Sequence, residues 1–341
     1  MATNSPPSTS TLPSVREAYN SRAATYDTAT TFHSRLANAY VSYATPQPGE
    51  SLLDLACGTG LVTFALAPHL QLQLPILATK SPASETPNPT KPKIIGIDLS
   101  PSMLSIARSK LSLSSTTGTG VEISFLEGDI LHLDSIPLLK MALEDEEGER
   151  EKEKEKERQF DIITLSSALV LLPSPHPDPN PINALRHWIP YLKTNGRIIL
   201  DIPHPNAMLG LKILSRVSKT LKLNLTLGDR EWITGLESLR MLLVEAGLEA
   251  RVWETGEWGD VPSRTVWVGR SGRVGVWGVD EGGSVFDGLV GGKRGWEGLG
   301  EEGRREARRE FVREWELLGR GDGDGWVREE NKLFIGVGIK R

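Results

Sequence analysis

Residues 51–60 read Ser-Leu-Leu-Asp-Leu-Ala-Cys-Gly-Thr-Gly, and the apolar run Leu61 to Leu66 follows directly. A short apolar strand, an acid and two glycines one residue apart, leading into a helix, form a cradle for a nucleotide-like cofactor. Glycine at 58 and 60 lets the chain turn from strand to helix and brings the backbone closer to a ligand than a side chain would permit. The same ten residues also fit an ordinary strand-to-helix turn, so the strands that follow must decide.

Strand and helix patterns alternate along the rest of the chain. Strands are expected at 51–55, 93–97, 121–126, 160–165, 196–202, 248–254 and 332–340. Helices are expected at 61–67, at 101–111 with Ser100 as cap and Pro101 in first position, at 181–189, and at 238–246 with Gly247 as its stop. Residues 15–44 read as helical before the first strand. Such alternation implies a parallel sheet with helices on both faces.

Three segments interrupt it: a Ser/Thr/Pro-rich start over 1–13, expected to be disordered, and solvated insertions near 79–92 and 141–158. The charged run 144–158 holds nine acids against five bases and so supplies −4 of the net −5. The remainder is close to neutral, which argues against a nucleic-acid-binding face. No apolar stretch is long enough for a membrane span and no secretory leader is present, so a cytoplasmic location is expected. Cys57 is the only cysteine, which excludes an intrachain disulfide and makes a cysteine-built metal site implausible.

Asp54 lies four residues before Gly58, where a carboxylate could meet a cofactor ammonium. Ile97-Asp98-Leu99-Ser100 closes the second strand with an acid suited to ribose hydroxyls, and Glu127-Gly128-Asp129-Ile130 closes the third with one suited to an adenine amino group. Thr63 stands where a dinucleotide fingerprint needs its third glycine, and the Gly-Lys-Ser/Thr of a P-loop is absent. Three acids at successive strand ends, around two glycines, describe an adenosine carrying an amino-acid tail.

These motifs resemble the class I S-adenosylmethionine-dependent methyltransferases, over about residues 19–200 and more loosely in the last strand. Leu53–Gly60, Gly96–Ser100, Glu127–Ile130, Phe160–Leu165 and Leu192–Leu200 carry the likeness, in the expected order. Tyr19 with Ala24-Thr-Tyr-Asp27 is similar to the N-terminal helix of the ubiquinone and menaquinone methyltransferases. The interval from Asp54 to Asp98 is longer than usual, and the 79–92 insertion accounts for it.

The resemblance implies a doubly wound, Rossmann-like, mostly parallel sheet of seven strands with the last antiparallel, in one methyltransferase domain over 14–341. Helical cap insertions are expected near 206–234 and 256–330. The cofactor implied is S-adenosyl-L-methionine. Asp54, Gly58 and Gly60 would hold its methionine end, Asp98 its ribose, Leu99 and Met103 the flank of the adenine, and Asp129 the adenine amino group with Ile130 beside it. Ser166 would lie near the methionine moiety, and Tyr26 over the sulfonium.

Methyl transfer asks mainly for alignment and exclusion of water, with a base only for a protonated acceptor. His204, in Asp-Ile-Pro-His-Pro just past the fifth strand, is the candidate base, with a turn-shaping or substrate-contacting role as the alternative. Asp201 could orient it, or equally could cap the fifth strand. His132 and His176 read as surface residues. Trp232, Trp253, Trp258 and Trp267 are candidate walls of an acceptor pocket, packing being the competing role. Ala307, Phe311, Trp315 and Leu318 fall at helical spacing and read as a packing stripe.

The activity expected is methyl transfer to an O, N or C atom of a small organic molecule, as in specialised metabolism. A peptide or protein side-chain methyltransferase, a non-catalytic S-adenosylmethionine-binding regulator and, more weakly, a dinucleotide oxidoreductase are the alternatives.

Overall fold

The computed structural model describes residues 12–72, 91–113, 120–144, 160–172, 181–222, 228, 230–258, 263–267, 281–290, 300–318 and 326–341. Residues 1–11 of the disorder expected over 1–13, nearly all of 79–92, most of 141–158 and His176 lie outside the described residues, as does the side chain of Trp267; Leu12 and Pro13 are helical, not disordered.

Seven strands form one sheet. In chain order they are β1 (Leu52–Leu55), β2 (Lys93–Asp98), β3 (Glu122–Glu127), β4 (Phe160–Leu165), β5 (Leu192–Pro203), β6 (Glu249–Glu254) and, after β7 (Arg264–Trp267) and β8 (Trp326–Glu329), which form a separate two-stranded antiparallel pair, β9 (Leu333–Ile339). The sheet order is β3-β2-β1-β4-β5-β9-β6, with β9 antiparallel to both neighbours and the pairs from β3 through β5 parallel. This is the doubly wound order expected. Strand order reverses between β1 and β4, so the crevice for a ligand opens at their carboxyl ends.

Period-two alternation assigns each strand residue to a face. Leu52, Ile94, Ile162 and Ile199 pack against α2 (Phe32–Ala44) and α3 (Leu61–Leu70), in a core with Leu36, Tyr40, Val62 and Leu66. Leu53, Ile95, Ile163 and Ile198 point to the other face, into a core shared with α5 (Pro137–Glu144), α6 (Ile182–Trp188) and α8 (Leu236–Glu245). Both faces are therefore dry, which is why the central strands read as continuous apolar runs.

Several local signals act as the residues dictate. Ser100 caps α4 (Pro101–Leu113) by accepting the Met103 N–H at 3.2 Å. Gly247, at φ +87°, ends α8 while the Leu248 N–H returns to the Leu243 carbonyl. Asn195 and Gly196 do not end a strand. Asn195 has φ +64° and sits in a bulge inside β5, where pairing with β4 jumps from Phe160↔Leu192 to Ile162↔Arg197.

The helix expected over 15–44 is two helices. α1 (Leu12–Arg22) gives way to a 3₁₀ turn at Ala23–Thr25, and α2 begins only at Phe32. The stretch between holds Thr25, Asp27, Thr28, Thr30 and Thr31, side chains that compete for backbone groups; the Phe32 N–H, for example, is taken by Thr30 Oγ1 at 3.1 Å.

Outside the sheet, α7 (Leu209–Thr220), α9 (Glu281–Val290) and α10 (Gly300–Leu318) pack on one another through Leu209, Ile213, Leu214, Val217, Phe286, Ala307, Phe311 and Trp315. The stripe on α10 is thus a packing face, and α7 is a helix the sequence reading did not delimit.

Candidate functional site

The turn after β1 is built on left-handed backbone. Ala56, Gly58 and Gly60 have φ of +51°, +56° and +82°, and only glycine takes that conformation without strain. A Cβ on Gly58 would meet nothing within 4 Å, so this backbone faces open space. One on Gly60 would fall 2.9 Å from Phe64 and 3.1 Å from Phe125. Gly58 therefore gives room to a ligand, whereas Gly60 gives room to the helix behind it.

An open crevice of about 730 Å³ lies over this turn. Four successive strand ends supply its walls: Ala56 and Gly58 after β1, Asp98, Leu99 and Ser100 after β2, Gly128, Asp129 and Ile130 after β3, and Ser166, Ser167 and Ala168 after β4, with Met103 from α4. Arg16 and Tyr19 of α1 and Tyr26 form the side nearest the N-terminus. Eight of the ten proposed cofactor residues, Tyr26, Gly58, Asp98, Leu99, Met103, Asp129, Ile130 and Ser166, are thus brought to one crevice.

Asp98 is tied into the cradle. Its two oxygens accept the Gly58 and Ser100 amide hydrogens, each at 2.8 Å, and burial raises its pKa. Each oxygen keeps a further lone pair for a ligand hydroxyl. Asp129 combines crevice wall and turn cap: one oxygen accepts the Leu131 N–H, and the other meets His132 Nδ1, both at 2.9 Å.

Asp54 and Gly60 do not line the crevice. The carboxylate of Asp54 is buried, and it accepts the Thr63 N–H at 3.1 Å, the Thr63 hydroxyl at 2.6 Å and the Thr164 hydroxyl at 2.7 Å. Burial pushes its pKa up to about 6 against those stabilising bonds. Direct contact with a cofactor ammonium, as expected from the spacing, is not what this geometry offers. Asp54 instead pins α3 to β1 and β4, below the turn. Thr63, which breaks the dinucleotide pattern, is the residue that holds it.

His204 is also corrected. It stands outside the crevice walls, with its ring 5.5 Å from that of Phe334, and its Nδ1 accepts the Asn206 N–H at 3.1 Å. The neutral ring then carries its proton on Nε2 and has no free lone pair to take another. Burial lowers its pKa further. A turn-shaping role, the alternative reading, fits these contacts; a general base does not.

Nor does Asp201 orient His204. Its Oδ1 accepts the Tyr40 hydroxyl at 2.5 Å and the Ser167 N–H at 2.9 Å, and burial raises its pKa to about 6. It thereby holds Ser167, at φ +56°, in the crevice wall. Trp232, Trp253 and Trp258 are not walls of this crevice either. Trp232 packs on the main core, Trp253 lies 5.4 Å from Tyr43 and is 41% exposed, and Trp258 stands under Arg35.

The N-terminal segment is fastened across the crevice by contacts that the sequence reading missed. Asn20 Oδ1 accepts from the Ser100 hydroxyl at 2.7 Å, Arg16 meets Glu127 at 2.6 Å, and Asp27 accepts the Thr59 hydroxyl and pairs with Lys110, both at 2.5 Å. Tyr19 and Tyr26 stand 6.2 Å apart with Arg22 over both rings. His33 stacks on Tyr26 at 4.4 Å, and its Nδ1 lies 3.3 Å from the phenol oxygen. Burial, reinforced by Arg22, lowers the pKa of His33 to about 4, so it is neutral at pH 7. Burial also raises that of Tyr26. Only the pairing of Tyr19 with Ala24–Asp27 hinted at this strap; Asn20 and His33 carry no local signal.

A family model described as "Methyltransferase domain" matches residues 46–241, more than half of the 341 residues. The chain belongs to this methyltransferase family. It is an S-adenosylmethionine-dependent enzyme of class I, and the matched span begins before β1 and ends within α8, so it contains the whole crevice apart from the N-terminal strap.

Among solved structures, the methyltransferase is similar to the YcgJ protein of Bacillus subtilis (16% identity, TM-score 0.47, 91% of this chain and 98% of that one). It is also similar to magnesium protoporphyrin IX methyltransferase of Synechocystis (16%, 0.39, 67% and 80%). A third likeness is to phosphoethanolamine N-methyltransferase 2 of Haemonchus contortus (13%, 0.42, 90% and 52%). No curated protein matches in sequence.

The crevice suits the methyl donor on its own terms. Gly58 leaves space where any other side chain would intrude, Asp98 offers a half-buried carboxylate, and the buried hydroxyl of Ser167 has no hydrogen-bond partner among the described residues. A buried polar atom left unsatisfied in a wall of otherwise paired groups is a place for a ligand.

Proposed function

We propose that the methyltransferase acts on an O, N or C atom of a small organic molecule, of the kind made in specialised metabolism. The observation that carries this reading is the strap. Arg16, Tyr19 and Tyr26 close one side of the crevice, and Asn20 and Asp27 fasten them to α4 and to the cradle. A crevice walled in on that side accommodates a compact acceptor better than a folded protein surface.

S-adenosylmethionine supplies an electrophilic methyl on a sulfonium, whose positive charge vanishes in the transfer. The residues proposed to hold it are Gly58 and Ser166 at the methionine end, Asp98 at the ribose, and Leu99, Met103, Asp129 and Ile130 around the adenine. Tyr26 offers an aromatic face to the cationic side, worth roughly 0.5–2 kcal/mol. Asp54 and Gly60 act from beneath, by fixing the turn. With His204 turned to Asn206 and His33 neutral, the site supports a transfer driven by alignment and exclusion of water more than by a strong base.

Among the described residues no helix is long and apolar enough to cross a membrane. The test is mass spectrometry of a methyl-labelled reaction run with the full chain on the small-metabolite and the protein fractions of an extract. Label in one or a few small molecules is the expected result. Label confined to protein would overturn the small-molecule reading, and cofactor binding without any transfer would favour a regulator.

A further inference from the structure

The strap is held down in an order that follows the strand ends beneath it. Arg16 meets Glu127, the last residue of β3, at 2.6 Å. One turn on, Asn20 Oδ1 accepts the Ser100 hydroxyl at 2.7 Å and the Ser102 N–H at 3.3 Å, where β2 passes into α4. Asp27 then accepts the Thr59 hydroxyl in the turn after β1 and pairs with Lys110 of α4, both at 2.5 Å. The strap thus crosses the ends of β3, β2 and β1 in turn, and both α1 and the 3₁₀ turn after it pack on α4. These are the ends that bring Asp98, Leu99, Met103, Asp129 and Ile130 to the crevice, the residues proposed for the ribose and the adenine. It is therefore the adenosine half of the crevice that the strap overlies.

Its attachment is polar. Between residues 15 and 31 only Ala23 is buried, and no side chain of this stretch belongs to an apolar core among the described residues. The next helix, α2, differs: it sinks Leu36, Ala37 and Tyr40 into the core under the sheet. A segment with few buried apolar contacts opens locally for far less free energy than global unfolding requires. The pair at the far end is the weakest fastening, because Arg16 and Glu127 are 44% and 45% exposed and solvent and salt screen them. The turn Ala23–Thr25 and the threonine-rich residues up to 31 join this lightly held part to the anchored α2, as a hinge would.

We infer that the strap is the gate through which the S-adenosyl cofactor enters and its demethylated product leaves, with the Arg16–Glu127 pair as its latch. The inference rests on the reading of the crevice above, which lays the adenosine along β2 and β3. An adenosine under α1 passes only when α1 lifts, so breaking the latch speeds entry and exit alike. Loss of an ordinary ligand contact would raise the rate of dissociation alone.

The test follows tritium-labelled S-adenosylhomocysteine as it binds to the full chain and as excess unlabelled ligand chases it off. Glu127 does not line the crevice, so Glu127→Gln opens the latch without touching the ligand. It should raise both rates at least threefold and leave the equilibrium affinity within threefold of wild type. Arg16→Ala should also raise both rates, and the double variant should be no faster than the faster single one, as for two halves of one latch. Added salt should speed exchange in wild type more than in the double variant.

Unchanged rates in Glu127→Gln would overturn the inference, as would faster dissociation with a matching loss of affinity, or additive effects in the double variant. Hydrogen exchange of the wild-type chain serves should a variant fail to fold. The amides of residues 16–22 should exchange faster than those of α2 and α4, and bound S-adenosylhomocysteine should slow them; protection equal to that of α2 before ligand is added would overturn the gate. Failure of the wild-type chain to bind S-adenosylhomocysteine would instead strike the reading of the crevice itself.

Discussion

Replacing Asp201 by Asn should flatten one step in the pH dependence of stability. Asp201 is 3% exposed, and both of its bonds, from Tyr40 and Ser167, converge on Oδ1. Asn can place its carbonyl oxygen there and keep them. Burial raises the carboxyl from 3.8 to about 6 in the folded chain. At pH 4–6 the folded state therefore binds a proton that the unfolded state has released, and stability falls as pH rises through that window. About two pKa units correspond to ~3 kcal/mol, lost fully above the folded value.

The Asn variant cannot ionise, so it should match wild type near pH 4 and exceed it by up to ~3 kcal/mol at pH 8. Asp54 carries a similar shift but is present in both proteins and cancels in the difference. Urea titrations of wild type and variant between pH 4 and 8 measure this, provided the slopes agree. A stability difference that does not vary with pH would show that Asp201 does not ionise at an elevated pKa, and the account of the crevice floor would fall with it.

Three further outcomes bear on the site. Asp98→Ala should weaken S-adenosylhomocysteine by about 1.5–3 kcal/mol in calorimetry, the range for hydrogen bonds to a charged group; unchanged affinity would remove Asp98 from the ribose role. Asp27→Ala severs the strap from Thr59 and Lys110 and should cost on the order of 1 kcal/mol of cofactor affinity, with the loss shrinking at high salt; a variant that binds like wild type would mean the strap does not cover the ligand. His204→Ala should leave turnover within about twofold and its pH profile unmoved, because the ring's free valence is already used. A hundredfold fall with cofactor affinity intact would restore it as the base.

What was legible in the sequence, and what was not, divides by the range of the interaction that decides it. The strands, the Ser100 cap and the Gly247 stop follow from neighbours a few residues apart, and they stand where the pattern puts them. The seven strands with the last antiparallel came from the motif resemblance, and the alternation of Leu52 with Leu53 and of Ile162 with Ile163 between two cores shows why the central strands read as apolar throughout.

Spacing alone misplaced Asp54, because a carboxylate at a strand end can face either the ligand or the fold. Asp54 and Asp98 look alike in sequence. Only the packing of Thr63 and Thr164 on one, and of the Gly58 and Ser100 amides on the other, separates a residue that supports the turn from one that also faces the crevice. His204 failed for the same reason, its decisive partner being a backbone amide two residues on, in a turn whose shape no residue pattern specifies. The strap is the extreme case. Asn20 meets Ser100 across 80 residues of chain and Asp27 meets Thr59 across 32, and pairings of that range are the contacts a linear reading is least able to supply.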